Sequence, residues 1–251
     1  MMRKGLLLNE VNVTSYADAV KMVVDWSGNS ESRYVCIANV HVLMEAYDSP
    51  DFRSVLNHAD LVTPDGVPLV WMMRLKGQRA QQRVYGPTLM LRVLEAAAQN
   101  QIPVGFYGGT PEVLRSLVKR MQERFEGLNA AFAFSPPFTE ANHREDEELV
   151  DQIERSGIRI LFVGLGCPKQ EIWMAKYRGR VNAVMLGVGA AFDFHAGAKP
   201  QAPEWMQAMG LEWFFRLSTE PRRLWKRYLY HNPRFIVLAM ADLLGFLKRK
   251  D

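Results

Sequence analysis

Short apolar runs alternate with amphipathic stretches over the first 198 residues of the chain. We predict strands over residues 5–8, 33–39, 59–64, 103–107, 131–134, 158–164 and 183–188. Helical spacing of apolar positions predicts helices over residues 15–26, 40–56, 67–75, 89–99, 111–121, 139–156 and 170–177. Continuous apolar runs are typical of strands covered on both faces. Their alternation with helices predicts an α/β fold with a mainly parallel sheet and helices on both faces.

The pattern changes at residue 199, where prolines end the regular alternation and aromatic residues become interleaved with arginines. We therefore expect a core over residues 1–198 and a helical appendage over residues 199–251. Residues 235–247 form a last apolar segment that closes with Lys248, Arg249 and Lys250. Thirteen residues are too few to span a bilayer, but they suit an amphipathic helix on a membrane surface. The alternative is a packed C-terminal helix whose basic end suits the helix dipole.

The charge of the chain is concentrated in this appendage. From Arg216 onward there are nine Lys or Arg against three Asp or Glu, within a formal charge of +4 for the whole chain. The remainder is therefore net acidic, which argues against nucleic acid and favours an anionic partner of the appendage, such as lipid headgroups or a diphosphate. Cys36 and Cys167 lie in apolar runs and are interpreted as core residues. We expect neither a signal peptide nor a transmembrane helix.

The stretch around Asp65 is the first candidate for chemistry. Pro64, Asp65 and Gly66 follow an apolar strand, so the turn presents the carboxylate at the carboxyl end of that strand. Ligands of open α/β sheets bind at this edge, and a carboxylate held there is a candidate general base. The alternative is that Asp65 caps its own turn.

Other polar residues follow further predicted strands. Asn39 stands between a strand and a helix, where it can cap the helix or hold a ligand. Arg83 precedes a Gly-Pro helix start, which suits an anion, although it can also be a solvated surface residue. Gly108 and Gly109 form a turn that can let a ligand approach backbone N–H groups, and Gln170 lies in the first turn of a helix.

An ordered set of motifs extends over nearly the whole chain. It comprises Asn39, Pro64-Asp65-Gly66, Gly164-x-Gly166-x-Pro168-Lys169-Gln170-Glu171, Gly187-Val188-Gly189-Ala190-x-Phe192-Asp193, Pro203-x-Trp205 and Gly210-Leu211-Glu212-Trp213-x-x-Arg216-Leu217-x-x-Glu220-Pro221-x-Arg223. This combination resembles the WecG/TagA/CpsF glycosyltransferases of bacterial surface-polysaccharide and teichoic-acid synthesis. The resemblance implies a Rossmann-like core and a C-terminal appendage that touches the membrane. It also implies transfer of a sugar from a UDP donor to a polyprenyl-diphosphate-linked sugar, at the cytoplasmic face of the cell membrane.

The resemblance also implies roles for single residues. Asp65 matches the catalytic base. The positions matching substrate-contacting and appendage residues of the family are Asn39, Arg83, Gln170, Arg216, Arg223 and Lys226. Ile37 stands where members that handle N-acetylmannosamine often carry Thr, so N-acetylmannosamine, its uronic acid and glucose all stay open as donor sugars.

No metal or other cofactor is expected for the reaction. The chain has no Asp-x-Asp, the metal-binding dyad of many sugar-nucleotide enzymes, and His41 is interpreted as a packed or surface histidine. Cations and helix N-termini would then hold the leaving diphosphate while Asp65 deprotonates the acceptor and the anomeric centre is inverted. The alternatives are an α/β oxidoreductase, for which a complete Gly-x-Gly-x-x-Gly turn is missing, and a non-catalytic peripheral membrane adaptor. A homo-oligomer contact near Trp71 and Met72 is also possible.

Overall fold

The computed structural model describes residues 1–137 and 143–247. Strands β1 (Arg3–Leu6) and β2 (Asn9–Asn12) form an antiparallel hairpin beside a six-stranded parallel sheet of order β4-β3-β8-β7-β5-β6. The sheet strands are β3 (Arg33–Ala38), β4 (Leu61–Pro64), β5 (Val104–Gly108), β6 (Ala130–Phe134), β7 (Ile160–Gly164) and β8 (Val184–Gly187). The predicted α/β class is therefore confirmed, and the hairpin strand β2 was missed.

Helices cover both faces of this sheet. They are α1 (Tyr16–Gly28), α2 (Val40–Asp48), α3 (Pro50–Asn57), α4 (Val67–Leu75), α5 (Gly86–Gln99), α6 (Pro111–Arg124), α7 (His143–Ser156), α8 (Lys169–Tyr177), α9 (Ala191–Ala196), α10 (Glu204–Ala208), α11 (Glu212–Thr219) and α12 (Pro221–Leu243). One apolar cluster contains buried residues of α2, α3, α4, α8 and α12, and a second contains those of α1, α5, α6 and α9. The central strands are buried by both, which explains their uninterrupted apolar sequences.

Two helix predictions need correction. Residues 40–56 form two helices rather than one, because Ser49 caps α3 through the Phe52 N–H and Pro50 occupies its first position. The predicted start of a helix at Thr139 lies outside the described residues, and α7 begins at His143. The capping predictions are confirmed, since Ser15 caps α1 and Thr110 caps α6.

Helix α12 is much longer than the predicted segment over residues 235–247. It runs from Pro221 to Leu243, through Pro233, and the basic residues 248–250 lie outside the described residues. Its buried positions share one face and are Leu224, His231, Phe235 and Ala239. An apolar stripe is exposed on the opposite face and contains Trp225, Leu229, Ile236, Val237, Met240 and Leu244. Within residues 1–137 and 143–247, no helix combines the length and apolar character needed to span a bilayer.

Polar contacts fix α12 against the core. Arg234 donates two hydrogen bonds to Asp48 of α2, at 2.6 and 2.9 Å. At the other end of the helix, Asp242 accepts from Lys76 at 2.7 Å and from the Leu7 backbone N–H at 3.1 Å. The helix therefore packs along α2 and α4, on the side of the sheet where β3 and β4 lie.

Candidate active site

The turn after β4 brings Asp65 next to Asn39. Strands β3 and β4 are paired in parallel, with Ala38 opposite Pro64, so the residues that follow them meet at one edge of the sheet. The Asp65 N–H donates to the Ala38 carbonyl at 2.8 Å. A Cβ at Gly66 would come within 3.3 Å of the Asn39 Cα, so the close approach of these two backbone segments requires a small residue at position 66.

The Asp65 carboxylate is paired with Arg83. Its Oδ1 accepts from Arg83 Nη2 at 3.0 Å and from Nε at 3.2 Å, and Nε also donates to the Asp65 carbonyl. Within the described residues no backbone N–H donates to this carboxylate, so Asp65 does not cap its own turn. Its Oδ2 likewise has no hydrogen-bond donor among the described residues, and this leaves one oxygen available to a substrate.

Arg83 also binds a second carboxylate, which comes from the appendage. Nη2 of Arg83 donates to Oε2 of Glu212 on α11 at 2.6 Å. The guanidinium carbon of Arg83 lies 4.1 Å from the centroid of the Tyr85 ring. The Tyr85 hydroxyl donates to Oε1 of Glu212 at 3.1 Å. The sequence predicted Arg83 as a ligand for an anion, but its guanidinium is already occupied. Glu212 belongs to the Gly210-Leu211-Glu212-Trp213 motif, but the sequence alone predicted no role for it.

Burial dominates the electrostatics of this pair. It raises the pKa of Asp65 to about 6, against the opposing charge of Arg83, and the nearby Glu212 raises it further. The two carboxylates in turn raise the pKa of Arg83, although burial opposes this. The site therefore holds a permanent cation beside a carboxyl group that titrates just below neutral pH.

Asn39 and Gln170 lie at the ends of the neighbouring strands. Asn39 Oδ1 accepts from the Val42 N–H at 3.2 Å and caps α2, as the capping alternative predicts. Gln170 lies over the end of β8, where its Oε1 accepts from the Gly166 N–H at 3.1 Å and its Nε2 donates to Glu171 at 2.9 Å. Because β8 is the strand next to β3, Asn39 and Gln170 face the same edge.

Glu171 was not predicted as a site residue. Its side chain is completely buried behind Gln170, and burial raises its pKa to about 7. One of its oxygens, Oε2, has no hydrogen-bond partner in the described part of the chain. The only sequence signal was an acid in the first turn of a helix, which is also an ordinary surface position.

The glycine turn after β5 lies apart from Asp65. Four strand spacings separate β4 from β5, which corresponds to about 19 Å. A Cβ at Gly108 would come within 2.7 Å of the Gly164 backbone, and the Gly109 N–H donates to the Gly164 carbonyl at 3.3 Å. Packing against β7 thus explains Gly108, the positive φ of 71° favours glycine at position 109, and a ligand contact there stays a prediction.

The predicted cations of the appendage differ in their surroundings. Arg223 is paired with Glu220 by two bonds of 2.7 Å, and Lys226 is exposed beside Trp225. By contrast, Arg216 and Arg227 have buried Nε atoms without a hydrogen-bond partner and no carboxylate partner among the described residues. Burial lowers the pKa of Arg227, and the charges of Arg216 and Arg223 add to this effect. The charge of Arg216 also reaches Asp65.

Arg227 is therefore a site residue that the sequence analysis missed. It was counted only as part of the basic tail, because the predicted helix did not include it. Positions 223, 227, 231 and 234 follow helical spacing on α12, which is the signal that could have identified its face.

Three side chains could hold a metal ion within the described part of the chain. They are His41 and Glu45 on α2 and His231 on α12. None of them forms a hydrogen bond with Asp65, so this cluster is separate from the carboxylate pair described above.

Comparison with known proteins gives a family and two relatives. The profile described as "Glycosyl transferase WecG/TagA/CpsF family" matches residues 5–249. A Bacillus spizizenii protein is 32% identical over 212 residues, 84% of this chain and 80% of its own length. A Bacillus subtilis protein is 31% identical over 234 residues, 92% of this chain and 87% of its own length. Both are called N-acetylglucosaminyldiphosphoundecaprenol N-acetyl-beta-D-mannosaminyltransferase.

Proposed function

Because this chain belongs to the WecG/TagA/CpsF family of glycosyltransferases, we propose that it transfers a hexose-type sugar from a UDP donor to a polyprenyl-diphosphate-linked sugar. It is an enzyme and a glycosyltransferase, so the oxidoreductase and adaptor alternatives are set aside. The observation that carries the proposal is the buried Asp65 carboxylate, with a raised pKa and one free oxygen, at the carboxyl edge of the sheet.

Asp65 acts as the general base in this proposal. Arg83 holds Oδ1, which orients the carboxylate and leaves Oδ2 to accept the proton of the acceptor hydroxyl. The acceptor oxygen forms a bond to the anomeric carbon while the bond to the UDP oxygen breaks, and the configuration at that carbon inverts. A base with a pKa of about 6 is ionised at neutral pH and still accepts a proton readily.

The leaving UDP carries its negative charge to the cations of the appendage. Arg216 and Arg227 are suited to this because they are partly buried and lack carboxylate partners among the described residues. An anion that binds two such guanidinium groups relieves their mutual repulsion and forms charge-assisted hydrogen bonds. Two guanidinium groups can stabilise the diphosphate without a divalent ion, so we propose that the transfer is metal-independent.

The names of the relatives make N-acetylmannosamine the first donor sugar to test and N-acetylglucosaminyl diphosphoundecaprenol the first acceptor. Ile37 and Asp65 both lie beside Gly86. A Cβ added to Gly86 would be 3.3 Å from the Ile37 side chain and 3.9 Å from Oδ2 of Asp65. An apolar side chain therefore lies beside the base, in place of a hydroxyl that could bind the sugar. N-acetylmannosamine uronic acid and glucose remain in the panel for this reason.

The apolar stripe of α12 suits the proposal that the protein acts at a membrane surface. The stripe is exposed along the helix and lies opposite the face that packs on the core. Lipid-linked acceptors place their diphosphate at the headgroup level, so a helix lying in the interface would bring Arg227 to that level. We propose residues 199–251 as the membrane-associating unit, on the inner face of the cell membrane. A homo-oligomer contact near the exposed Trp71 stays a prediction.

The function is tested by measuring UDP release from a panel of UDP-sugars, with a short-chain polyprenyl-diphosphate N-acetylglucosamine as acceptor, in the presence and absence of EDTA. We expect acceptor-dependent release with one donor, unchanged by EDTA. Release that needs no acceptor, or no release from any donor by protein that binds UDP and is supplied with vesicles, contradicts the proposal.

Asp65→Asn is expected to reduce turnover by at least about a hundredfold, because the amide cannot accept the proton. For the wild type, kcat/KM is expected to fall about tenfold per pH unit below a pKa of about 6 and to be flat above it, since the carboxylate is the active form. The variant should lose this pH dependence. Its fold is checked by circular dichroism, and near-normal turnover by folded Asp65→Asn would refute the base assignment.

Arg227 and Arg222, both on α12, form a matched pair for testing the diphosphate site. Arg227→Met is expected to lower kcat/KM for the donor by about a hundredfold, because a pre-positioned charge on the leaving group is lost. Arg222→Met, on the exposed surface of α12, should change it by less than about twofold. Equal effects of the two substitutions would mean that only the overall charge of the appendage matters.

The double substitution Leu229→Ser and Ile236→Ser tests the apolar stripe. Binding to anionic vesicles is expected to weaken about tenfold or more, because each apolar side chain contributes about 1.5–3 kcal/mol when it leaves water. Turnover of a short-chain, water-soluble acceptor should be unchanged. Ile172→Ser, on the exposed surface of α8, serves as the control. Vesicle binding that survives the double substitution would exclude the stripe as the membrane contact.

A further inference from the structure

A cluster of two imidazoles and a carboxylate joins α2 of the core to α12. His41 and Glu45 are four residues apart on α2, and His231 reaches them from α12. Nδ1 of His41 lies 3.5 Å from Oε1 of Glu45, and Nε2 of His231 lies 3.4 Å from the same oxygen. The three ligand atoms all lie within 4.8 Å of one another.

The two distances from the imidazole nitrogens to the Glu45 oxygen, 3.5 and 3.4 Å, match the spacing of ligands around one small ion. Zinc lies about 2.0–2.1 Å from imidazole nitrogens and carboxylate oxygens, so two ligands in tetrahedral geometry are about 3.3 Å apart. The two imidazole nitrogens, which lie within 4.8 Å of each other, would have to approach by up to about 1.5 Å to complete three corners of the tetrahedron. Two histidines with one carboxylate form a ligand set known for zinc, with the fourth position taken by water.

Hydrogen bonding alone explains this cluster poorly. Nδ1 of His41 is buried and has no hydrogen-bond partner among the residues that the structure describes, although the Glu45 oxygen lies 3.5 Å away. A buried polar atom without a partner costs free energy, so its position needs an explanation. A metal ion between the nitrogen lone pair and the carboxylate would satisfy both atoms.

The surroundings keep both imidazoles in the form that ligates metals. Burial lowers the pKa of His41 to about 3, assisted by the charges of Arg227, His231 and Arg216, while a backbone interaction with Cys167 works in the opposite direction. Burial also lowers the pKa of His231. The charges of Glu45 and Asp48 raise this pKa, and those of Arg234 and Arg227 lower it. Neutral imidazoles offer lone pairs at physiological pH. The positive charge of Arg227 weakens the affinity for any dication.

We propose that His41, Glu45 and His231 bind a divalent transition metal of the zinc class, which links α12 to α2. The ion would be structural: it takes no part in the transfer, and it holds in place the helix that carries Arg227. The ion would be bound by side chains that have no part in the proposed transfer, so its binding does not depend on the proposed function. It goes beyond the sequence-based expectation of no metal, which rested on the missing Asp-x-Asp and an interpretation of His41 as packed or exposed.

The test uses full-length protein without a histidine tag, freed of metal with a chelator and titrated with Zn²⁺ and Co²⁺. Calorimetry is expected to show one ion bound per chain, and Co²⁺ should give the visible absorption of a tetrahedral nitrogen and oxygen site. His231→Phe should weaken binding at least about tenfold, since even the residues that support a metal ligand contribute that much. His58→Phe, which removes an exposed histidine, should bind like the wild type.

Thermal unfolding provides a second readout. Zn²⁺ is expected to raise the Tm of the wild type and of His58→Phe but not that of His231→Phe. If His231→Phe does not fold, Glu45→Gln replaces it, because Glu45 is partly exposed and the substitution preserves its volume. The proposal is overturned if the wild type binds no ion, or if binding survives removal of His231 or Glu45. A failed transfer assay would leave this result unaffected.

Discussion

A single guanidinium group joins the carboxyl end of β4 to the start of α11. Arg83 is shared between Asp65 at the end of β4 and Glu212 at the start of α11, and the three side chains are largely withdrawn from solvent. Removing Arg83 would leave two buried carboxylates facing each other, and breaking such a pair costs about 3–5 kcal/mol. The position of α11 beside Asp65 therefore depends on this charge.

The same arrangement determines the proton affinity of Asp65. Burial favours the neutral acid, Arg83 favours the carboxylate, and Glu212 opposes the carboxylate in turn. Without Glu212, Arg83 would hold the pKa of Asp65 lower than it is. Without Arg83, burial would raise that pKa higher. Because Glu212 belongs to the appendage, the docking of α11 contributes to the basicity of a residue in the core. The coupling is electrostatic, and it requires no movement of the backbone around Asp65.

The sequence predicted what local patterns determine. Apolar runs located the strands, and the residues after β3 and β4 had to meet because parallel strands end at one edge. Glu212 could not be paired with Arg83, since nothing local connects residues 129 positions apart. The glycines after β5 were ambiguous, because close packing on a neighbouring strand and close approach of a ligand require the same residue. The basic first half of α12 concealed its length and, with it, the position of Arg227.

The contact between Arg83 and Glu212 limits how this protein can be recombined with its relatives. A chimera that joins the core of one member to the C-terminal helices of another must keep an acid at position 212, or Arg83 will lose one of its two carboxylate partners at the junction. Tyr85 adds a second condition, because its hydroxyl donates to the other oxygen of Glu212. Exchange of the C-terminal helices is therefore expected to succeed only between members that share this acid and its two partners, however similar their remaining surfaces are.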